Sequence, residues 1–161
     1  MKNSILLGIL TLVVFSCKAQ IVPVEKMVDY IGAGKGLPKN TTYVKDVNNL
    51  LGKFVGVWKG STNSKTYELR IVKYTETSYG IKEDLLLLRH LIKDDNGVII
   101  KNTTSAPNDH YSVAFGNYLA KTGSYVLYYI SDDEKCGYAG QIYINVTGNQ
   151  MHFSFAMDNE L

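Results

Sequence analysis

The sequence is poor in the residues that metal sites, disulfides and catalytic centres require. Its 161 residues include 2 cysteines and 3 histidines, His90, His110 and His152. No two of these histidines have the spacing of metal ligands on one helix or strand. A Gly-x-Ser-x-Gly motif is absent, and paired carboxylates occur only in turn-like segments. We therefore expect no metal and no cofactor, and the sequence names no catalytic residue.

Clusters of charge and long apolar runs are also scarce. The formal net charge is +2, and lysines and arginines form no cluster larger than a pair, so we expect no nucleic-acid partner. The longest apolar run, Ile5–Phe15, is shorter than the roughly 20 residues that a transmembrane helix requires. The hydrophobic content of 45% and charged content of 20% are typical of a globular domain.

The first 17 residues read MKNSILLGILTLVVFSC, with Lys2 before the apolar run and Ser16 before Cys17. This pattern resembles the lipobox of bacterial lipoproteins, in the relaxed form common in Bacteroidota. The resemblance implies that residues 1–16 are a signal peptide and that Cys17 becomes a lipidated N-terminus. Since no acidic run follows Cys17, we expect a cell-envelope protein anchored in the outer membrane and facing the periplasm.

An alternative is cleavage by ordinary signal peptidase after Ala19 or Gln20, which would release a secreted protein. If Cys17 is acylated, Cys136 has no partner for an internal disulfide. Only Lys135 lies nearby to lower its pKa, so we interpret Cys136 as inert rather than as a reactive or intermolecular thiol.

The N-terminal part of the mature chain predicts little regular structure. We interpret residues 17–41 as a lipidated tether with a weak helix at Val24–Ile31, ended by Gly32–Gly36. That glycine-rich stretch is not a phosphate loop, because no strand precedes it and Leu37-Pro38 follows it. Thr42–Lys53 has the apolar spacing of a second short helix.

From Phe54 onward the apolar period changes to two, which predicts strands. The 12 tyrosines against 5 phenylalanines also favour sheet. Ser61–Ser64 is a turn, and Asn96-Gly97 is a strong hairpin signal rather than a calcium loop. We predict one all-β domain over residues 42–161, an antiparallel meander of about eight strands forming a small barrel or sandwich, with one or two short helices before it.

Aromatic residues are the best candidates for a binding site. Five strand tyrosines either line a ligand cavity or form ordinary cross-strand pairs: Tyr67, Tyr125, Tyr128, Tyr129 and Tyr143. Trp58, the only tryptophan, and Gly56 open the first strand of the meander and are predicted to anchor its packing.

The Gly56-x-Trp58 motif at the start of a β-meander resembles the lipocalin and wider calycin pattern. In that pattern the tryptophan closes one end of the barrel, the interior binds apolar ligands, and an arginine near the last strand caps the tryptophan. The only arginines here are Arg70 and Arg89, so that partner has no counterpart. The likeness therefore implies a calycin-like fold with Trp58 as a structural plug.

A closer likeness is to an uncharacterised family of small flavobacterial lipoproteins, domain of unknown function 6705. The matching pieces are spread over most of the mature chain: Ser16–Gln20, Asn40–Asp46, Lys53–Gly60, Leu86–Arg89 and Cys136-Gly137. This resemblance implies a location and a fold, and it implies no activity.

Together these features predict a membrane-anchored envelope lipoprotein whose non-enzymatic β-barrel-like domain binds a small apolar ligand or a protein partner. One alternative is an envelope hydrolase with a site assembled from distant residues. Another is a structural or inhibitory module that uses its outer sheet face. A cavity lined by tyrosine and leucine, with few titratable groups, would distinguish the binding protein from the other two.

Overall fold

Strands make up most of the chain in the computed structural model, which describes residues 19–131 and 138–158. It is 57% strand and 8% helical, so the all-β prediction is confirmed. The weak helix predicted at Val24–Ile31 is present as a 3-10 turn, Val24–Lys26, followed by one α-helix, Met27–Ile31 (α1).

Ten strands form one mixed sheet. In chain order they are β1 (Gln20–Pro23), β2 (Thr41–Lys45), β3 (Gly56–Thr62), β4 (Lys65–Ser78), β5 (Ile81–Asp94), β6 (Ile99–Asn102), β7 (Ala114–Leu119), β8 (Tyr125–Ile130), β9 (Ala139–Thr147) and β10 (Gln150–Met157). Their order across the main path is β1-β2-β5-β7-β8-β9-β10, while β4 joins β3 to β5 and β6 pairs with β5.

Strand β5 is the centre of this sheet. Along one edge it pairs antiparallel with β4 over its whole length, from Ile81↔Ser78 to Asp94↔Lys65. Along the other edge it pairs in turn with β2 near its start, β7 at its middle and β6 near its end. Four strands therefore pair with β5 directly, and the other five are joined to it through those four.

The sheet is not closed, so the structure is an open sheet rather than a complete barrel. β3 pairs with β4 and β10 pairs with β9, and no pairing joins β3 to β10 in the ranges that the structure describes. The sheet also differs from a pure meander, because β1 pairs parallel with β2 and β2 pairs parallel with β5.

The segment Thr42–Lys53, which has the spacing of a short helix, begins as strand β2 and is helical only in the 3-10 turn Gly52–Phe54. Its Thr-Tyr-Val start consists of residues that favour strands. Val44 faces the core and is buried, while Thr42 is exposed. Tertiary pairing with β5 therefore overrides the apolar spacing further along the segment.

Two tight turns set the length of the β3–β4–β5 unit. The predicted β3–β4 hairpin is present, and Asn63 and Ser64 at its turn have φ of 51° and 56°. The next hairpin turns at Tyr79 and Gly80, with φ of 51° and 78°. Two consecutive positive-φ residues match the twist of the flanking strands, so β4 and β5 run to the turn without splaying apart.

The run Leu85–Leu88 in β5 is apolar on both faces because both faces are covered. Leu86 and Leu88 lie in the main core with Phe54, Ile71 and Ile144. Leu85 and Leu87 form a smaller cluster on the opposite face with Val113, Tyr74, Ala106 and Phe115. A continuous apolar strand is typical of burial on two sides.

Part of the segment predicted as a tether packs against the domain. β1 pairs with β2, and the side chains of Val22 and Val24 belong to the main core. Packing of this segment therefore begins at β1.

The main aromatic residue of the core is Phe54 rather than Trp58. Phe54 is fully buried, whereas Trp58 is half-buried and donates a hydrogen bond from Nε1 to the Phe54 carbonyl oxygen at 2.8 Å. A cost of about 3–5 kcal/mol for removing a ring applies to a fully buried one, so it applies to Phe54 and not to Trp58.

We predict that Phe54→Ala lowers the free energy of unfolding by about 3–5 kcal/mol, because it leaves a cavity in the core. Trp58→Ala should cost clearly less, since part of that ring is already in contact with solvent. Urea denaturation followed by circular dichroism measures both variants without relying on tryptophan emission. A larger loss for Trp58→Ala than for Phe54→Ala would contradict this assignment.

Candidate functional site

A large cavity of about 1200 Å³ lies where the sheet fails to close. Its walls come from both ends of the sheet, β3 and β4 on one side and β9 and β10 on the other, and from β5 and β8 between them.

The cavity contacts its inner strands and its edge strands in different ways. β4 and β5 contribute alternate residues, such as Leu88, His90 and Ile92, so the cavity touches one face of those strands. β3 and β10 contribute consecutive residues, Trp58–Thr62 and Gln150–Phe153. The cavity therefore reaches the unpaired edges of β3 and β10, and the gap between these two strands is its mouth.

Much of the wall is apolar and aromatic. Three rings pack against one another, with centroid distances of 6.3 Å for Tyr129–Tyr138, 6.1 Å for Tyr129–Phe155 and 5.8 Å for Tyr138–Phe155. Aliphatic side chains extend this surface: Leu69, Leu88, Ile92, Ile142 and Met151. Such a surface binds apolar molecules by removing their area from water, at about 25 cal/mol per Å².

His90 is the polar exception on the inner wall. The residue is only 8% exposed, and its ring contacts Tyr129 edge-on at 5.7 Å between centroids. Its Nδ1 lies 3.5 Å from Oγ1 of Thr103. Burial, with the nearby charge of Lys101, lowers the pKa of His90 to about 4, so the imidazole is neutral at pH 7.

The structure brings together only some of the residues proposed from the sequence. Tyr67 and Tyr129 line the cavity, as does Trp58. Tyr125 lies instead in the core, where its hydroxyl oxygen accepts a hydrogen bond from the Leu86 N–H at 3.2 Å. Tyr128 and Tyr143 are 39% and 36% exposed and do not line this cavity. These two tyrosines point away from the interior because their positions along the strand alternate with those that face it.

Gly56 has a structural reason for its identity. It begins β3 with φ of 140°, a backbone conformation that residues with a side chain rarely adopt. It thereby positions the β3 edge that carries Trp58 into the mouth of the cavity.

His90 and Tyr138 are not among the binding residues that the sequence predicts. His90 has no second metal ligand at a suitable spacing, but it alternates with Leu88 and Ile92, which places it on an apolar face. This alternation is the feature of the sequence that indicates a place in the cavity wall. Tyr138 lies beside the turn-like segment before β9, and nothing in the sequence links it to Phe155 in β10.

A second polar cluster lies near the other end of β5. The Asp84 carboxylate accepts hydrogen bonds from Tyr43, Thr75 and the Asp46 N–H at 2.8, 2.7 and 3.1 Å. Burial alone would raise the pKa of Asp84, but these hydrogen bonds and the charge of Lys73 outweigh it and lower the pKa. The resulting fixed charge joins β2, β4 and β5.

Asp46 has a matching structural role. Its carboxylate accepts hydrogen bonds from the Leu50 and Leu51 N–H groups at 2.7 and 3.2 Å and contacts Lys73 Nζ at 2.9 Å. Every polar contact of this cluster is internal to the fold, so we interpret it as structural.

A serine and a histidine also meet near the loop before β7. Oγ of Ser112 lies 2.7 Å from Nδ1 of His110, and Nδ1 also accepts a hydrogen bond from the Ser112 N–H at 3.2 Å. Ser112 is only 1% exposed. A buried hydroxyl in a local turn cannot reach a substrate, so this pair does not form a nucleophilic site.

Several predicted features lie outside the described residues, namely the signal peptide, Cys17 and Cys136. Within residues 19–131 and 138–158, no group of three histidine, cysteine or carboxylate side chains is arranged to hold a metal ion. The same ranges contain no helix with the length and apolar character needed to cross a bilayer.

Comparison with known proteins places the chain in a family. A model described as "Family of unknown function (DUF6705)" matches residues 1–156. The chain belongs to this family. No curated protein and no solved structure matches it.

Glu83 is the carboxylate whose protonation the fold changes most clearly. It is half-buried in β5, directly opposite Glu76 of β4. Burial, and secondarily the negative charge of Glu76, raises the pKa of Glu83 to about 7. The unfolded state releases this proton near pH 4.5, whereas the folded state holds it up to about pH 7. The free energy of unfolding therefore falls as the pH rises from about 4.5 to about 7.

We predict that Glu83→Gln leaves the free energy of unfolding nearly unchanged at pH 4, where both states of the wild type are protonated. At pH 8 the variant should be more stable than the wild type, by on the order of 2–3 kcal/mol. Urea denaturation at both values measures the difference. Glu76→Gln is the control: it removes only the charge repulsion, so at pH 8 it should raise the free energy of unfolding by less than Glu83→Gln does. An equal effect of Glu83→Gln at both pH values would refute the raised pKa of Glu83.

Proposed function

We propose that this protein is a lipid-anchored envelope protein that binds a small apolar ligand in the cavity between β3 and β10. The observation that supports binding is the cavity itself, with about 1200 Å³ of space, an apolar and aromatic wall and an open mouth. Ligand sites in proteins are typically apolar concavities of about 300–1000 Å³ with a few convergent polar groups. The space here accommodates a ligand at or above the upper end of that range.

Binding fits this wall better than catalysis does. Acid–base chemistry usually pairs a histidine or lysine with a carboxylate. Three lysines and two histidines line the cavity, but none of its described lining residues is aspartate or glutamate. His90 is neutral and has no carboxylate partner to orient it in the part of the chain that the structure describes.

The envelope location rests on the N-terminal sequence. Lys2, the apolar run and Ser16-Cys17 have the pattern of a lipoprotein signal peptide, and we propose a lipid on Cys17 of a Bacteroidota protein. A single acyl chain holds a protein to a membrane only weakly, whereas two or more anchor it stably. Membership of the family is compatible with this location and implies no particular activity.

The described N-terminal end of the sheet lies far from the cavity. Gln20 pairs with Thr41 at the start of β2, and β2 runs parallel to β5 with Tyr43 opposite Lys82. The cavity begins at Leu88, which is several residues further along β5. At about 3.3 Å per residue, 20 Å or more of strand separates the N-terminal end of the sheet from the cavity. A molecule tethered at Cys17 would therefore hold its cavity away from the membrane surface.

We predict that protein purified from its native envelope retains a small molecule, and that Gly60→Phe abolishes this retention. Gly60 lines the cavity, and a Cβ added there meets no atom within 4 Å, so the new ring fills the cavity rather than disturbing the core. Native mass spectrometry measures the bound mass. Gly36→Phe is the matched control, because Gly36 is equally unobstructed but lies outside the cavity. Retention of the same mass by Gly60→Phe would contradict the proposed site.

We predict that Cys17→Ser abolishes metabolic labelling with a fatty acid and moves the protein from the membrane fraction to the soluble fraction. Labelling and fractionation of the wild type and the variant test this in the same cells. A variant that still sediments with membranes would rule out the lipid on Cys17 as the anchor.

A further inference from the structure

The cavity wall carries one buried hydrogen-bonding ring whose inner nitrogen has no hydrogen-bond partner among the residues that the structure describes. His90 is more than nine-tenths buried and lines the cavity between Leu88 and Ile92. The only hydrogen-bond contact of its ring within the described ranges is that of Nδ1 with Thr103. Because Nε2 lies on the opposite side of the imidazole from the Thr103 contact, it is the nitrogen available to the cavity.

The contacts of Thr103 guide the assignment of the ring proton. Oγ1 of Thr103 accepts a hydrogen bond from the His90 N–H at 2.8 Å and has two acceptors in reach, the His90 carbonyl oxygen at 3.3 Å and Nδ1 at 3.5 Å. We place the hydroxyl proton on the nearer acceptor, the carbonyl oxygen, and therefore assign the ring proton to Nδ1. Nε2 then holds a lone pair and requires a donor.

The surroundings of Nε2 favour an uncharged donor. The imidazole is packed against Tyr129, and burial keeps it neutral, so no imidazolium charge is present to attract an anion. A bound ligand that covers Nε2 without donating to it would leave the acceptor unpaired at a cost of about 1–3 kcal/mol, so a ligand that brings a donor is favoured over one that does not. An ammonium group would have to lose its own hydration in an apolar cavity lined by lysines rather than by carboxylates.

We propose that the ligand is an uncharged apolar molecule with one O–H group, which donates a hydrogen bond to Nε2 of His90 while its apolar body lies against Leu88, Ile92 and the rings of Tyr129 and Phe155. The inference rests on the proposed function of the cavity and adds the chemical class of the ligand. A primary or phenolic alcohol has this chemistry. A hydrocarbon, an ether and a carboxylate of the same length do not.

The test uses three probes that share a ten-carbon chain on the mature protein: 1-decanol, decyl methyl ether and decanoate. Trp58 is the only tryptophan and lines the cavity, so its emission reports occupancy directly. We expect 1-decanol to bind about tenfold more tightly than decyl methyl ether, the effect of one buried hydrogen bond. Decanoate at pH 7.5 should bind more weakly than the alcohol.

Variants separate the hydrogen bond from the apolar contact. His90→Leu should keep the binding of decyl methyl ether and reduce the preference for the alcohol to about one. His152→Leu is the matched control, because His152 also lines the cavity but is exposed on β10, and it should leave the preference intact. Should His90→Leu not fold, the 15N chemical shift of Nε2 in the wild type must still change on addition of 1-decanol.

The outcomes distinguish ligand binding by the cavity from the chemical class of the ligand. If none of the three probes changes the emission of Trp58 and none binds by calorimetry, the proposed function of the cavity fails. If the alcohol and the ether bind equally, or if the 15N shift of Nε2 does not change, the cavity is a binding site but the O–H assignment is overturned. Tightest binding of decanoate would likewise overturn the uncharged class.

Discussion

The burial of β5 on both faces is the constraint on which the rest of the structure depends. Four consecutive leucines require apolar partners on both faces of the strand, while β4 along one edge and β2, β7 and β6 along the other pair with its backbone. The main core then forms on the face of Leu86 and Leu88, and the smaller cluster forms on the face of Leu85 and Leu87. Further along the inner face, His90 and Ile92 leave the core and line the cavity.

The cavity follows from the same geometry. Among the described residues β3 pairs only with β4 and β10 only with β9, so the sheet stays open, and the space between these two strands is lined by the inner faces of β4, β5 and β8. An unpaired strand edge promotes aggregation, because it can pair with a strand of another molecule, unless it is short or carries charged residues. β3 is a seven-residue strand that carries Lys59 and ends in a tight turn, so the mouth is kept open by a short, charged edge.

Local patterns were sufficient to predict two of the hairpins. The Ser61–Ser64 turn and the Asn96-Gly97 turn are properties of neighbouring residues, and both recur in the structure, between β3 and β4 and between β5 and β6. The parallel pairing of β2 with β5 and the failure of closure depend on residues distant in sequence, which no single pattern encodes. The candidate binding residues were predicted only in part. Tyr67, Tyr129 and Trp58 line the cavity, whereas Tyr125 lies in the core, where its hydroxyl pairs with the distant Leu86 N–H. His90 could be found only from the face it shares with Leu88.

Binding of a ligand in the space between β3 and β10 can be measured residue by residue from backbone amide chemical shifts. Titration of 15N-labelled mature protein with 1-decanol should shift the amides of inward-facing residues such as Leu88, His90 and Tyr129, and leave those of Tyr128 and Tyr143 unchanged. Shifts confined to the exposed side of β8 and β9, or spread evenly over the sheet, would contradict the account.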